Sequence, residues 1–365
     1  MAKLFGKDYS KKELLARVGD ISQIGGVRLY TLADGVERGV RAVDFRTGSG
    51  LDFTVLVDRG LDISTAAYKG QPLAWRSSTG DVSPAYYEEP GLGWLRSFYG
   101  GLVVTCGLTY AGAPSVDKGK ALGLHGRVSN LPASNVFADA AWQDDEYIMW
   151  VHGKIRETAV FGENVELQRC ITARLGAPKI WICDRVTNLG YQETEHMMLY
   201  HINIGFPVVD GGSRLIAPVK SSQPRDADAE IEKELYASFP TPVAGFRERM
   251  YYLDMAESAD GTVTAALVNP DFNSGEGFGI YVKYSKRELP KFSEWKMVGE
   301  GTYVVGLEPG NCWVEGRVKE RERGALQSLK PGETREYHLE IGVLSSQEEI
   351  REIEEDVKSV LEQAK

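Results

Sequence analysis

The feature that most restricts this chain is the monotony of its interior. Short runs rich in Val, Ile, Thr, Tyr and Phe follow one another, each closed by Gly, Asp, Asn or Pro. "VRLYTLAD", "GVRAVDFRT", "LDFTVLVDR" and "LDISTAAYKG" succeed each other at the spacing of antiparallel meanders. "EYIMWVHGKIRE", "VELQRCITARL", "KIWICDRVTNL", "MMLYHINIGFPVV", "GTVTAALVNP", "FGIYVKYS", "TYVVGLEP" and "REYHLEIGVL" continue the series. Strands of this kind must bury a face against another sheet, which predicts an all-β fold, a large antiparallel β-sandwich of two face-to-face sheets. In "VELQRCITARL", Val165, Leu167, Arg169, Ile171 and Ala173 share one face, and Glu166, Gln168, Cys170 and Thr172 the other. Neither face is purely apolar, so this strand belongs in a broad sheet with one wetter side.

Helices are expected only at the margins. One short helix is predicted around Lys11 to Val18, and "SPAYYEEPGLGWLRSFYGG" could hold another. At the C-terminus Ser346 and Glu349 stand at capping-box spacing, and Ile350, Ile353, Val357 and Val360 then recur at helical intervals. That stripe predicts an amphipathic helix over 346–365 packed on the sandwich. No repeat, low-complexity tract or linker divides the chain, and residues 1–365 read as a single domain.

Composition excludes some functions. With 42 Lys+Arg against 52 Asp+Glu the chain is acidic, which argues against a nucleic-acid partner. Cys106, Cys170, Cys183 and Cys312 lie far apart with no CxxC pair, the usage of a reduced compartment, and all four read as structural. The N-terminal stretch carries no apolar segment of a secretion signal, and no apolar run approaches the roughly 20 residues of a membrane span. A cytoplasmic protein without a membrane partner is expected; oligomeric state, a homo-oligomer included, is left open.

Three polar residues sit where the local sequence makes them costly or exposed. His125, in "LGLHGR", lies between Gly123 and Gly126, where the backbone can bend to aim a side chain inward; the alternative is a surface-loop histidine. His201, in "MMLYHINIGFPVV", and Asn203 share a face of an apolar strand, and burying both is unfavourable unless each finds partners. Glu308 ends the strand "YVVGLEPGN", and is either salt-bridged, for example to Arg317, or a carboxylate whose burial raises its pKa into the range of a general base. Two histidines and a carboxylate suggest acid–base catalysis. No HxH, HExxH, GxSxG or phosphate-cradling glycine motif occurs, so neither a metal nor another cofactor is expected.

The order of these motifs resembles the galactose mutarotase-like (aldose 1-epimerase) superfamily over most of the chain. A His-Gly pair after the early strands, a histidine in a mid-chain strand and a glutamate ending a late strand look like His125-Gly126, His201 and Glu308. The string "VLVDRGLDI", "LGLHGR", "LYHINIGFP" and "GLEPGN" looks most like a bacterial aldose 1-epimerase-like subgroup. The resemblance implies a galactose mutarotase-like supersandwich and interconversion of sugar anomers without a metal, by acid–base opening of the ring. Glu308 would be the base at the C1 hydroxyl and His201 the acid at the ring oxygen. His125 would hydrogen-bond the ring oxygen or a neighbouring hydroxyl, and Glu248, in "RERMYY" where the family carries aspartate, would take sugar hydroxyls. Asn203 joins the substrate-binding set, and Trp295, like Trp75, could stack on a sugar face or belong to the core. Arg127, Arg59 and Arg76 could bind an anionic group on the sugar, but for Arg59 and Arg76 a structural ion pair is the better reading, with Asp58 and Asp62 as ready partners of Arg59. The competing expectation is a carbohydrate-binding protein without catalysis, since a fold does not fix a function.

Overall fold

The computed structural model describes residues 1–364. The meanders form three large antiparallel sheets where the sequence suggested two. The broadest has nine strands, in the order Ser134–Gln143, Glu146–Thr158, Asn164–Arg174, Lys179–Asn188, Thr334–Leu344, Phe278–Ser285, Thr262–Asn269, Ser213–Ile216 and Ser238–Phe239. A seven-stranded sheet runs Val219–Pro224, Arg249–Met255, Lys291–Gly299, Thr302–Gly310, Thr194–Ile204 and Gln327–Leu329, with Val104–Leu108 also paired to Thr194–Ile204. The N-terminal meander forms a separate five-stranded sheet over Gly26–Thr31, Arg41–Arg46, Leu51–Leu56, Asp62–Tyr68 and Gln71–Pro72.

One apolar cluster draws on all three sheets, including Phe45 and Val55, Met149 and Ile182, and Tyr200 and Leu307. The strand Thr194–Ile204 is buried on both faces, and its alternation sorts two environments. Met198, Tyr200, Ile202 and Ile204 enter that main cluster, while Met197 and Leu199 point to a second one with Trp94, Phe98, Tyr99 and Met250. His201 and Asn203 share the parity of Met197 and Leu199, so the period of the strand places them on the second face.

Arg169 shows why its strand is not purely apolar. Its guanidinium is completely buried and lies 2.6 Å from Asp62 on the five-stranded sheet and 2.6 Å from Asp184 on its own. Thr105 and Tyr200, both from the seven-stranded sheet, bond to the same group: Arg169 donates to the Thr105 hydroxyl at 2.8 Å, and the Tyr200 hydroxyl donates to Asp184 at 2.7 Å. A fully satisfied ionic cluster thus pins the three sheets together at one point.

The helices follow the sequence with small shifts. Lys11–Leu15 is a single turn-and-a-half held by a capping box at Ser10 and Glu13. The aromatic stretch around residue 90 forms two 3₁₀ turns, Pro84–Tyr86 and Gly93–Ser97. Gln347–Gln363 is the C-terminal helix; Ser346 accepts from the Glu349 N–H at 3.2 Å, but Glu349 reaches back to the N–H of Ser345. Ile350 and Val357 are buried against Val268, Tyr281 and Leu344, with Leu361 alongside in place of Val360.

Candidate active site

The second face of the seven-stranded sheet is the floor of a cavity of about 590 Å³. Ladder register assembles it. Asn203 pairs with Gly306 and Ile202 with Leu307, so the same register sets His201 opposite Glu308; Glu308 in turn pairs with Ser293, and Ser293 with Tyr252. Four polar residues, Tyr252, Ser293, Glu308 and His201, therefore form one row across neighbouring strands. Trp295 lies beside that row, paired with Gly306 on one side and Met250 on the other. Gly306 has to be glycine: a Cβ there would stand 2.9 Å from a Glu308 carboxyl oxygen and 3.0 Å from the Trp295 Cβ.

His201 Nε2 lies 3.2 Å from Oε1 of Glu308. Neither carboxyl oxygen of Glu308 has a hydrogen-bond partner, and neither does Nδ1 of His201, the Ser293 hydroxyl or the Tyr252 hydroxyl. Burial pushes the Glu308 carboxyl up to about 8, with the Glu248 charge adding to the effect. Burial pulls the His201 imidazole down to about 3, helped by neighbouring His125 and offset in part by the Asn203 side chain. At neutral pH the pair holds one proton, which rests on Glu308. The cavity reaches His201, whereas the Glu308 side chain has no accessible surface. Arg317, the alternative partner for Glu308, pairs with Asp117 at 2.8 Å instead.

His125 completes the floor. Its own backbone is left-handed, with φ 57°, and Gly126 follows at φ 80°, where a Cβ would meet the Gly107 and Tyr110 carbonyls at 2.3 Å. This bend turns the ring inward, 4.8 Å from Trp94 and 5.8 Å from the His201 ring. Its Nδ1 is buried without a partner, and burial pulls its pKa down to about 4, so the ring is neutral at physiological pH with Nε2 left to meet a ligand. On the far wall Glu248 accepts from Trp295 Nε1 at 2.9 Å and from Arg225 at 3.1 Å, and all three border the cavity. Trp75 borders it too, its ring 6.2 Å from that of Trp295.

Of the expected residues, His125, His201, Glu248 and Trp295 converge on this cavity, with Glu308 directly beneath. The others do not. Asn203 is buried, donates to the backbone carbonyls of Gly101 and His201, and does not border the cavity. Arg59 is buried behind the wall, where it donates to the carbonyls of Ser129, Val82 and Ser97 and lies over the Tyr99 ring. Its expected carboxylate partners are taken: Asp58 by Arg41 and Asp62 by Arg169. Arg76 pairs with Asp81 at 2.8 Å and borders a separate groove on the five-stranded sheet. Arg127 turns its Nε toward Glu89, 3.7 Å away, and does not border the cavity. Sequence reasoning missed Arg225 and the aromatic pair Trp94 and Phe98. Arg225 has no motif of its own; the aromatic density of "GWLRSFYGG" was the available signal for the other two.

Among the described residues no group of three or more His, Cys, Asp or Glu side chains is placed to hold a metal ion. All four cysteines are free; Cys106 and Cys312 are buried, and burial raises both thiols. No helix among the described residues is long and apolar enough to cross a membrane.

The antiparallel sheets packed in this way have the galactose mutarotase-like fold. A Klebsiella pneumoniae protein described provisionally as an aldose 1-epimerase superposes with a TM-score of 0.88, over 93% of this chain and 90% of that one, at 23% identity. A galactose mutarotase-like protein from Clostridium acetobutylicum gives 0.59 at 13% identity, covering 88% of this chain and 99% of the other. The galactose 1-epimerase of Lactobacillus acidophilus gives 0.55 at 12% identity, covering 88% and 100%. Within that fold the chain belongs to the family described as Domain of unknown function (DUF4432), which matches residues 37–343. No curated protein matches the sequence.

Proposed function

We propose that this protein is an aldose 1-epimerase, a mutarotase that interconverts the anomers of a sugar by acid–base opening of its ring. The observation that carries this reading is the His201–Glu308 pair: two groups with oppositely displaced pKa values, 3.2 Å apart, at the base of a cavity sized for a small ligand. Mutarotation needs one group to take the proton of the anomeric hydroxyl and another to give one to the ring oxygen. Glu308 takes the first and His201 delivers the second from Nε2; the C1–O5 bond breaks, the aldehyde turns about C1–C2, and the ring recloses on its other face. The resting pair carries one proton, on Glu308; it has to pass to His201 across their 3.2 Å contact before Glu308 can accept the anomeric proton, a transfer that the resting pKa order opposes and that the bound sugar has to offset.

The remaining walls hold the sugar. His125 donates or accepts through Nε2, the Glu248 carboxylate takes hydroxyl hydrogens, and the faces of Trp75 and Trp295 cover C–H surface. The three arginines expected to select a charged sugar stand elsewhere, so the ligand carries no group that needs them. The direct test follows anomer exchange of a panel of aldoses by NMR. Acceleration proportional to enzyme concentration supports the reading. Sugar binding without acceleration replaces it with the carbohydrate-binding alternative.

A further inference from the structure

The cavity is divided into two kinds of wall, and the division says something about the ligand. One rim is polar, built from Ser77, Thr79, Arg225, Glu248 and Thr302. Another part of the lining is apolar, built from Leu92, Leu95, Ala113, Pro114, Leu124 and Val314. Backbone bonds sew that apolar rim together: Leu124 N–H to the Gly91 carbonyl at 3.0 Å, His125 N–H to Gly112 at 2.8 Å, and Ala113 N–H to Val314 at 2.8 Å. Leu92 and Leu95 are 60% and 47% exposed, a loss that a covering ligand would recover. His125 stands between the apolar rim and His201, since its ring meets Trp94 on one side and His201 on the other.

We infer that the site takes aldoses whose C5 substituent is apolar, 6-deoxy sugars and their bulkier homologues, in preference to sugars with a hydroxymethyl, carboxylate or phosphate at that position. This rests on the mutarotase reading, which fixes the orientation. A ring oxygen is bonded only to C1 and C5. With the C1 hydroxyl directed at Glu308 and the ring oxygen at His201, C5 lies on the side of His125 and its substituent enters the apolar rim. Beyond His125 the six residues of that rim carry no polar side chain, so a hydroxyl placed among them would lose its water without gaining a side-chain partner. An anion would find no free cation, because Arg225 is already held by Asp226 at 2.7 Å and by Glu248 at 3.1 Å. The cavity, about 590 Å³, is larger than a single pyranose ring needs.

The experiment uses matched sugars that differ only at C6: D-fucose against D-galactose, D-quinovose against D-glucose and L-rhamnose against L-mannose, with D-glucuronate as the anionic member. Two readouts are taken on the full chain, anomer exchange by NMR and binding by quenching of tryptophan fluorescence. The deoxy member of at least one pair is expected to exceed its partner by about 10-fold in kcat/KM and in affinity, the usual worth of one group in an apolar pocket. Leu95→Asn, at an exposed position, and Leu124→Asn should each bring that ratio toward one. Equal or reversed preference in every pair overturns the inference while exchange itself leaves the mutarotase reading standing. Deoxy-selective binding without exchange does the opposite, sinking the catalytic reading and keeping the ligand class. Neither binding nor exchange with any of these sugars removes both.

Discussion

Two groups of ionisable residues are equally hidden in this protein and differ in how well they are satisfied. Around Arg169 every donor is used: the guanidinium meets Asp184, Asp62, the Gly60 carbonyl and the Thr105 hydroxyl, and Asp62 takes two further bonds from Thr105. Around Glu308 the capacity is left open, with both carboxyl oxygens, His201 Nδ1 and the Ser293 and Tyr252 hydroxyls unpartnered in one row. Burial alone therefore does not mark a working site. Unmet hydrogen bonds distinguish the two groups, and a row left with them is costly to keep unless a ligand completes it.

The sharpest way to break the comparison is to neutralise each group in turn. Glu308→Gln and His201→Asn should each lower kcat/KM for anomer exchange by about 10²–10⁴-fold, the typical worth of one proton-transfer group, with an unchanged circular dichroism spectrum. Arg169→Met should do the reverse. It leaves Asp62 and Asp184 buried without their counter-charge, and is expected to cost about 3–5 kcal/mol in urea unfolding while the folded fraction keeps its activity per molecule. Unfolding by Glu308→Gln, or a stable Arg169→Met protein, would exchange the two assignments.

A smaller effect concerns pH. The folded state raises the Glu308 pKa to about 8 from an ordinary 4.5, so folding favours its protonated form. The stability this carboxyl allows is fully present below pH 4.5 and is lost as pH rises toward 8. Glutamine keeps the shape and never ionises. Glu308→Gln should therefore match the parent near pH 4.5 and exceed it by on the order of 4 kcal/mol at pH 8, read from urea midpoints at the two pH values. An inactive variant more stable than its parent would show that the open row is maintained against stability.

How much of this was readable beforehand follows from the same physics. The strand runs gave the all-β architecture because period-two alternation is local, and His125, His201 and Glu308 stood out as polar residues in stretches that otherwise exclude them. The third sheet was not readable, because where the N-terminal meander docks is set by distant partners such as Asp62 and Arg169, 107 residues apart. The arginines misled for a related reason. Arg59 is charged and sits beside two aspartates in sequence, yet its partners are three carbonyls from distant loops, which no spacing rule encodes. Arg225 was overlooked because its value comes only from Glu248 and Trp295 arriving beside it.

The smallest contrast sets two arginines against each other. Arg127 lies two residues from His125 in sequence but pairs loosely with Glu89 outside the cavity, its side chain 35% exposed. Such a pair is worth about 0–1 kcal/mol, and Arg127→Gln should leave kcat/KM within about twofold of the parent. Arg225 lies far away in sequence but orients Glu248, which would take the sugar hydroxyls. Arg225→Gln should raise KM by roughly 10-fold with little change in kcat, because it loosens binding felt equally by ground and transition states. Steady-state kinetics on any sugar that the protein converts gives both numbers. If Arg127→Gln proved the more damaging, proximity in sequence would have outranked proximity in the fold, and the cavity wall would have to be redrawn to include the loop after His125.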